Sequence, residues 1–378
     1  MNVPLSCHWI DASDEQAVLG VLRSDRLSLG PRVPEFEAGL ARVAQVTHGV
    51  AVNSGTSALH LIVRSLGLGE GDEVITTPFS FIASANCLLF ERVKPVFVDV
   101  RPDTYNIDPV RIAAAMTQRT KGILAVDAFG QPAELDAIER IADQNGLQVI
   151  EDSCESLGSE WQGRRCGSWG AAGAFAFYPN KQITTGEGGC VVTQSDDIAS
   201  FCRSMRNQGR GSTSEWLEHE RLGYNYRISD ISCALGSSQL KRLDKIIELR
   251  GQAAERYKAL LRDVPEVVTQ TILPDVTRMS WFVFVVRLVD RFTQADRDWL
   301  IGWLSDRGIQ SRPYFTPIHL QPFYMREFGY KAGDFPITEQ VAARTIALPF
   351  FTMITHDQQD YVVTCLKDGL AVCRREHR

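Results

Sequence analysis

The 378-residue chain has no Cys-x-x-Cys pair, no run of apolar residues approaching a membrane helix, and no surplus of basic side chains. Each absence removes a class of protein. Its nine cysteines (Cys7, Cys87, Cys154, Cys166, Cys190, Cys202, Cys233, Cys365 and Cys373) are odd in number and scattered. That pattern supports neither a disulfide framework nor a zinc ribbon, and no metal site is expected. Single cysteines of this kind serve as small buried hydrophobes in a reducing compartment, so the expected location is cytoplasmic. A bilayer span needs about 20 apolar residues, and none is found. The opening segment MNVPLSCHWIDASDEQ lacks a basic region followed by an apolar one, so no signal peptide is expected. Lys and Arg total 40 against 46 Asp and Glu, a net charge of -6, which gives no reason to expect nucleic acid or an anionic membrane as partner. Disorder is excluded by what is present: 44% hydrophobic and 23% charged residues. At ~150 residues per domain the length implies two to three domains, two being the simpler division.

Between residues 50 and 195 short β-rich runs alternate with helical patterns. VAVNS, EVITT, PVFVDV, KGILAV and LQVIED read as strands, separated by the helical stretches TSALHLIVRSL, SANCLLFERV, PVRIAAAMT and ELDAIERIADQNG. Apolar strands bounded by helices indicate βαβ units and a mostly parallel sheet covered on both faces. Ser80, Asp108 and Ser195 are expected as N-caps and Gly146 as a C-terminal stop. Strands GAFAFY and GCVVTQ flank the glycine-rich TTGEGG. Beyond residue 230 the pattern becomes α+β: one helix of about 30 residues from SCALGSS to KALL, a strand from Trp281 to Val289, and helices in ADRDWLIGWLSDRG and HDQQDYVVTCLKDG. The expected division is an N-terminal arm and large domain over 1–240 and a smaller domain over 241–378. SRPYFTPIHLQPFY, dense in proline and aromatics, is expected in a cleft. There is no internal repeat and no low-complexity segment.

Four features at strand ends carry chemistry. At Asn53-Ser54-Gly55-Thr56-Ser57 a strand passes directly into a helix, whose free N–H groups favour a phosphate. A plain N-cap explains the same corner. Asp152 ends the strand LQVIED at the sheet edge where open α/β proteins bind ligands, and could hold a pyridinium nitrogen protonated. Lys181 follows the strand GAFAFY and precedes flexible glycines, where desolvation would make its amine a nucleophile; a solvated surface lysine is the alternative. Phe81, after EVITT, could stack on a flat ring or simply pack in the core. Together the four match one ligand, pyridoxal 5′-phosphate (PLP), which offers a phosphate, a ring face, a ring nitrogen and an aldehyde.

The chain also resembles the DegT/StrS group of PLP-dependent sugar aminotransferases, of the aspartate-aminotransferase fold (fold type I). The likeness runs through LSLGPRVPEFE, NSGTSALHL, GDEVITTPFSFIASANC, KPVFVDV, EDSCESLGSEWQGRRCGSWG, FAFYPNKQITTGEGG, GYNYRISDISCALGSSQL and SRPYFTPIHLQPFY. It implies a large PLP domain built on a mostly parallel seven-stranded sheet plus a smaller α+β domain. It implies that Lys181 carries the cofactor as an imine, that Asp152 partners the ring nitrogen, that Gly55, Thr56 and Ser57 hold phosphate, and that Phe81 stacks. Asn225 in GYNYR matches an asparagine that reaches the phosphate of a neighbouring subunit, which implies a homodimer with shared active sites.

Two positions depart from the family pattern. Ala176 replaces a serine phosphate ligand, and Glu155 stands where Gln or His lies near the phenolic oxygen of the cofactor. The family's dehydratase branch has His in place of the lysine, so Lys181 points to transamination. The expected reaction is a ping-pong transfer from an amino-acid donor, by resemblance L-glutamate, through the pyridoxamine form to a nucleotide-linked keto-sugar. Tyr314, His319 and Arg312 are expected near the rim of the substrate cleft. The competing readings are a PLP-dependent lyase or dehydratase on the same scaffold, an aminotransferase for a cyclitol or other ketone, and a non-catalytic PLP-binding regulator. A dinucleotide enzyme is disfavoured because the first βα corner lacks G-x-G-x-x-G.

Overall fold

The structure, a computed structural model, describes residues 1–211 and 218–376, with side chains described through residue 373. Its first strands in chain order are β1 (His48–Val52), β2 (Glu73–Thr76), β3 (Lys94–Phe97), β4 (Thr120–Val126), β5 (Gln148–Asp152), β6 (Glu160–Trp161), β7 (Arg164–Arg165), β8 (Ala172–Ala176) and β9 (Gly189–Thr193). Seven of them make one sheet in the order β1-β9-β8-β5-β4-β2-β3. β9 runs antiparallel to both neighbours and the remaining pairs are parallel. The expected mostly parallel seven-stranded sheet is therefore what forms.

The alternation of side chains along each strand shows why these runs are apolar without a break. In β4, Leu124 and Val126 join a core with the helices Gly55–Ser65 and Asp196–Arg206, whereas Ile123 and Ala125 join another with the helix Leu135–Asn145. Both faces are covered, so each strand position loses water, at roughly 1.5–3 kcal/mol for a buried Leu or Ile side chain. The same parity sorts the end of β5: Asp152 follows the face of Ile150, and Glu151 the face of Val149.

Local chemistry sets most helix ends. Ser54, Asp108 and Ser195 accept the N–H groups of Ser57, Val110 and Ile198, and Gly146 closes its helix with φ +63°. Ser80 behaves otherwise. The helix after β2 starts at Ala83 behind an uncapped Ile82, and the Ser80 hydroxyl instead meets Ser84 Oγ at 2.7 Å. The expected 30-residue helix is also two helices, Asp230–Leu240 and Leu243–Leu261. Arg242 leaves helical backbone (φ -118°, ψ 18°) and turns its guanidinium to the Trp9 carbonyl and Asp14.

The last third adds β10 (Val267–Thr269), β11 (Val276–Arg278), β12 (Phe284–Leu288) and β13 (Thr345–Leu348). β10, β12 and β13 form an antiparallel sheet, while β11 pairs with β6. A core of Tyr257, Phe284, Leu300, Ile346 and Leu366 joins this sheet to the helices Leu243–Leu261, Gln294–Ser305 and His356–Glu376. Val3 is fully buried in that same core, bridged to Ile309 as a parallel neighbour. The strand expected from Trp281 starts only at Phe284, because residues 280–282 are drawn to the end of β4. There Phe282 N–H donates to the Phe129 carbonyl at 3.2 Å. Gly130 makes the approach possible: at φ +97° a Cβ would lie 2.0 Å from the Ser280 oxygen.

Candidate active site

The carboxyl edge of the sheet gathers the chemistry. Asp152 closes β5, nearly buried, and is held by two donors: Ser84 Oγ at 2.6 Å and the Cys154 N–H at 3.2 Å. A carboxylate fixed this way is preorganised to face a cationic ring nitrogen. Lys181 leaves the turn after β8, its N–H bonded to the Tyr178 carbonyl at 2.9 Å. Its Nζ lies 3.6 Å from Glu155 Oε1 and 3.9 Å from the centre of the Phe282 ring. Glu155 is buried and its second oxygen accepts the Phe129 N–H at 2.9 Å. Burial pushes the Glu155 carboxyl above the usual range, and the neighbouring Lys181 charge opposes that rise. Glu155 and Cys154 both feel the charges of Asp152 and Lys181, so acid, amine and second acid occupy one small space.

The corner after β1 completes one end. Ser54 Oγ takes the Ser57 N–H at 3.1 Å, and a helix start of this kind leaves the amides of Gly55 and Thr56 without intrahelical acceptors. The Ser57 hydroxyl donates to Asn53 Oδ1 at 2.7 Å, so it is already engaged within the corner. Gly55 packs on the departure at Ala176: a Cβ there would meet the Ala176 Cβ at 2.7 Å and Cys154 Sγ at 3.0 Å. Phe81 presents a ring that is 64% exposed just beyond β2. Asn225 is exposed beside the same corner, its carbonyl accepting Asn53 Nδ2 at 3.4 Å while Tyr226 O accepts the Asn53 N–H at 2.9 Å.

Of the three residues expected at the rim, Arg312 and Tyr314 both adjoin β13, through Ala347 and Thr345. Tyr314 packs near Phe129, with ring centres 6.1 Å apart, and burial with the Glu155 charge pushes its phenol up to about 12. Arg312 is exposed and bonds the Ser311 carbonyl at 2.9 Å. His319 is fully buried: its Nε2 pairs with Glu339 at 3.0 Å and its ring packs on Phe335.

Sequence reasoning missed Ser84, Phe282 and the Phe129 amide. Ser84 carries a weak signal, a small hydroxyl one helical turn after Ser80. Phe282 carries none, since its place depends on the carbonyls of Trp281 and Phe282 accepting from the fully buried Arg250 at 2.7 and 2.6 Å. Phe129 sits at φ +64°, a conformation that costs a non-glycine residue roughly 1–2 kcal/mol and aims its N–H at Glu155. On the other face of β5, Glu151, Asp127 and Cys166 bring their ligating atoms within 4.8 Å of one another, all fully buried. Burial raises both carboxyls and the thiol above their usual ranges.

These residues fit PLP: a buried carboxylate with two donors, an amine 3.6 Å from a second buried acid, helix-start amides and an exposed aromatic face. The comparisons agree. The model of the DegT/DnrJ/EryC1/StrS aminotransferase family matches residues 8–367. The chain is 35% identical to the GDP-perosamine synthase of Caulobacter vibrioides over 98% of each. Helicobacter pylori PseC, an aminotransferase of pseudoaminic acid biosynthesis, superposes with a TM-score of 0.92 at 29% identity, covering 98% of this chain and 99% of that one. The PLP-form structure of Spr1654 of Streptococcus pneumoniae superposes with a TM-score of 0.93 at 25% identity, over 98% of each chain. The protein belongs to the DegT/DnrJ/EryC1/StrS aminotransferase family and is a PLP-dependent transaminase.

Proposed function

We propose that the enzyme moves an amino group from an amino-acid donor, L-glutamate, to a nucleotide-linked keto-deoxysugar in a ping-pong cycle. The observation that carries this reading is the meeting of Lys181, Asp152 and Glu155 at one sheet edge, with Lys181 Nζ 3.6 Å from Glu155. Bound PLP would supply an electron sink for the carbon that loses its proton. Asp152 would hold the ring nitrogen, Gly55, Thr56 and Ser57 the phosphate, and Phe81 one ring face. Lys181 takes a proton at its Nζ from the donor's α-carbon and returns one to the acceptor side, acting as base and then as acid. Phe282, its ring centre 3.9 Å from Nζ, keeps water from that amine.

We further infer that Asn225 serves the site of a second copy, so that the working unit is a homodimer with shared active sites. Large and small domains divide near residue 240, and Arg312 and Tyr314 meet the substrate where the two adjoin. His319, buried on Glu339, would support that wall from behind. Among the described residues no helix is long and apolar enough to cross a membrane. Nine scattered cysteines with no Cys-x-x-Cys pair suit the reducing cytoplasm.

The test is Lys181→Ala. The purified variant is expected to lose both the visible absorbance of lysine-bound PLP and all amino transfer; normal turnover would refute the assignment. Glutamate-dependent amination of a panel of nucleotide keto-sugars then identifies the acceptor.

A further inference from the structure

We propose that Glu155 is the proton partner of Lys181: its carboxylate, anchored on the Phe129 N–H, holds the lysine amine against the Phe282 ring and exchanges a proton with it. The inference rests on the reading of Lys181 as the reactive amine, and deepens it. An amine must be neutral to act as a base or nucleophile, so a site built on a lysine needs somewhere to put the ammonium proton. Glu155 Oε1 is 3.6 Å from Nζ, and a catalytic hydrogen bond of this kind shortens as the site fills. The other oxygen is tied at 2.9 Å to a backbone N–H, so the carboxylate cannot swing away. Its main-chain carbonyl is fixed as well, accepting Gln182 Nε2 at 2.6 Å.

The exchange is balanced. One N–H bond of the ammonium breaks, one O–H bond forms on Glu155, and an ion pair becomes a neutral pair. Burial narrows the gap between the ion pair and the neutral pair, because it raises the Glu155 carboxyl while the Lys181 charge opposes that rise. Asp152 is reserved for the ring nitrogen in this reading, and the acid that pairs with Lys181 is Glu155, at 3.6 Å. The titratable groups facing Glu155 are Lys181, Asp152, Cys154 and Tyr314. Burial pushes the Cys154 thiol well above its usual range and the Tyr314 phenol to about 12, so both stay neutral and Lys181 is the exchanging neighbour.

The test measures Lys181 directly, in the full chain stripped of cofactor. An amine-reactive acylating reagent is applied between pH 6 and 11, and modification of Lys181 is followed by mass spectrometry. An opposite charge at this range is worth about 1–3 pH units. In Glu155→Gln the labelling profile should therefore move down by at least about one unit, a ten-fold faster reaction at pH 7.5. Glu155→Asp, which keeps the charge at a shorter reach, should fall between. A Glu155→Gln profile coinciding with wild type overturns the proposal, as does a Glu155→Asp profile identical to that of Gln. If the Gln variant does not fold, as judged by circular dichroism, the Asp variant carries the test, and its coincidence with wild type overturns the proposal. Because no turnover is measured, this outcome stands apart from that of Lys181→Ala.

Discussion

The buried acids behind β5 allow a prediction whose size follows from the structure. Asp127 and Glu151 are both fully buried, and burial is the leading cause that lifts Asp127 from 3.8 to about 6 and Glu151 well above the carboxylate range. The folded protein therefore binds a proton at Asp127 more tightly than the unfolded chain does. The stability this confers is complete below pH 3.8 and is lost as pH rises through about 6. A rise of about 2.2 units at 1.36 kcal/mol each amounts to roughly 3 kcal/mol, of which about 2 is lost between pH 4.5 and 8. Asp127→Asn removes the titration while keeping much of the geometry: the amide oxygen can accept the Ala133 N–H that Asp127 Oδ1 now takes at 3.0 Å. Thermal melts of wild type and variant across that pH range should separate progressively. The variant should gain about 2–3 °C relative to wild type, taking an unfolding entropy of about 2.1 cal/mol/K per residue. Titrating groups remote from Asp127 cancel in the comparison, whereas Glu151 and Cys166, which feel its charge, do not. A difference in melting temperature that stays constant with pH would show that Asp127 is ionised at no cost, and the reasoning would fail.

Two further substitutions probe the parts that hold the site together. Gly130→Ala places a Cβ 2.0 Å from the Ser280 carbonyl at φ +97°, and is expected to cost more than about 2 kcal/mol in urea unfolding; an unchanged midpoint would contradict the close approach. Ser84→Ala takes away the 2.6 Å donor to Asp152, a bond to a charged group worth about 1.5–3 kcal/mol, and should weaken PLP binding about ten-fold when titrated by its visible band. Wild-type affinity in that variant would mean that the hydroxyl does not order the carboxylate.

The parts of the site that the amino-acid sequence discloses are those fixed by strand ends. Asp152 and Lys181 follow apolar runs that can only be buried strands, and a parallel sheet delivers the ends of such strands to one edge. The Ser54 corner was legible for the same reason, since its capping chemistry is local. Contacts between distant segments were not. Nothing near Phe282 announces that Arg250 will pull the carbonyls of Trp281 and Phe282 together, or that Gly130 will admit that segment beside Lys181. His319 shows the converse: a histidine among aromatics suggested a cleft, but Glu339 and Phe335 enclose it completely. The break at Lys241 and Arg242 escaped notice because both residues are good helix formers, and the pull comes from Trp9 and Asp14 some 230 residues earlier.

Val3 belongs to a core otherwise built from residues 253–373. Its N–H reaches the Gly308 carbonyl at 2.9 Å, and its own carbonyl takes the Gln310 N–H at 3.0 Å. On the ribosome, residue 3 therefore emerges long before the surface that receives it exists. The sheet of β1–β9 can condense while the chain is still growing, but the C-terminal core must wait for its first and last contributors to meet. Fusing a bulky partner close to Val3 should therefore hinder the docking of that core, while the sheet of β1–β9 assembles undisturbed.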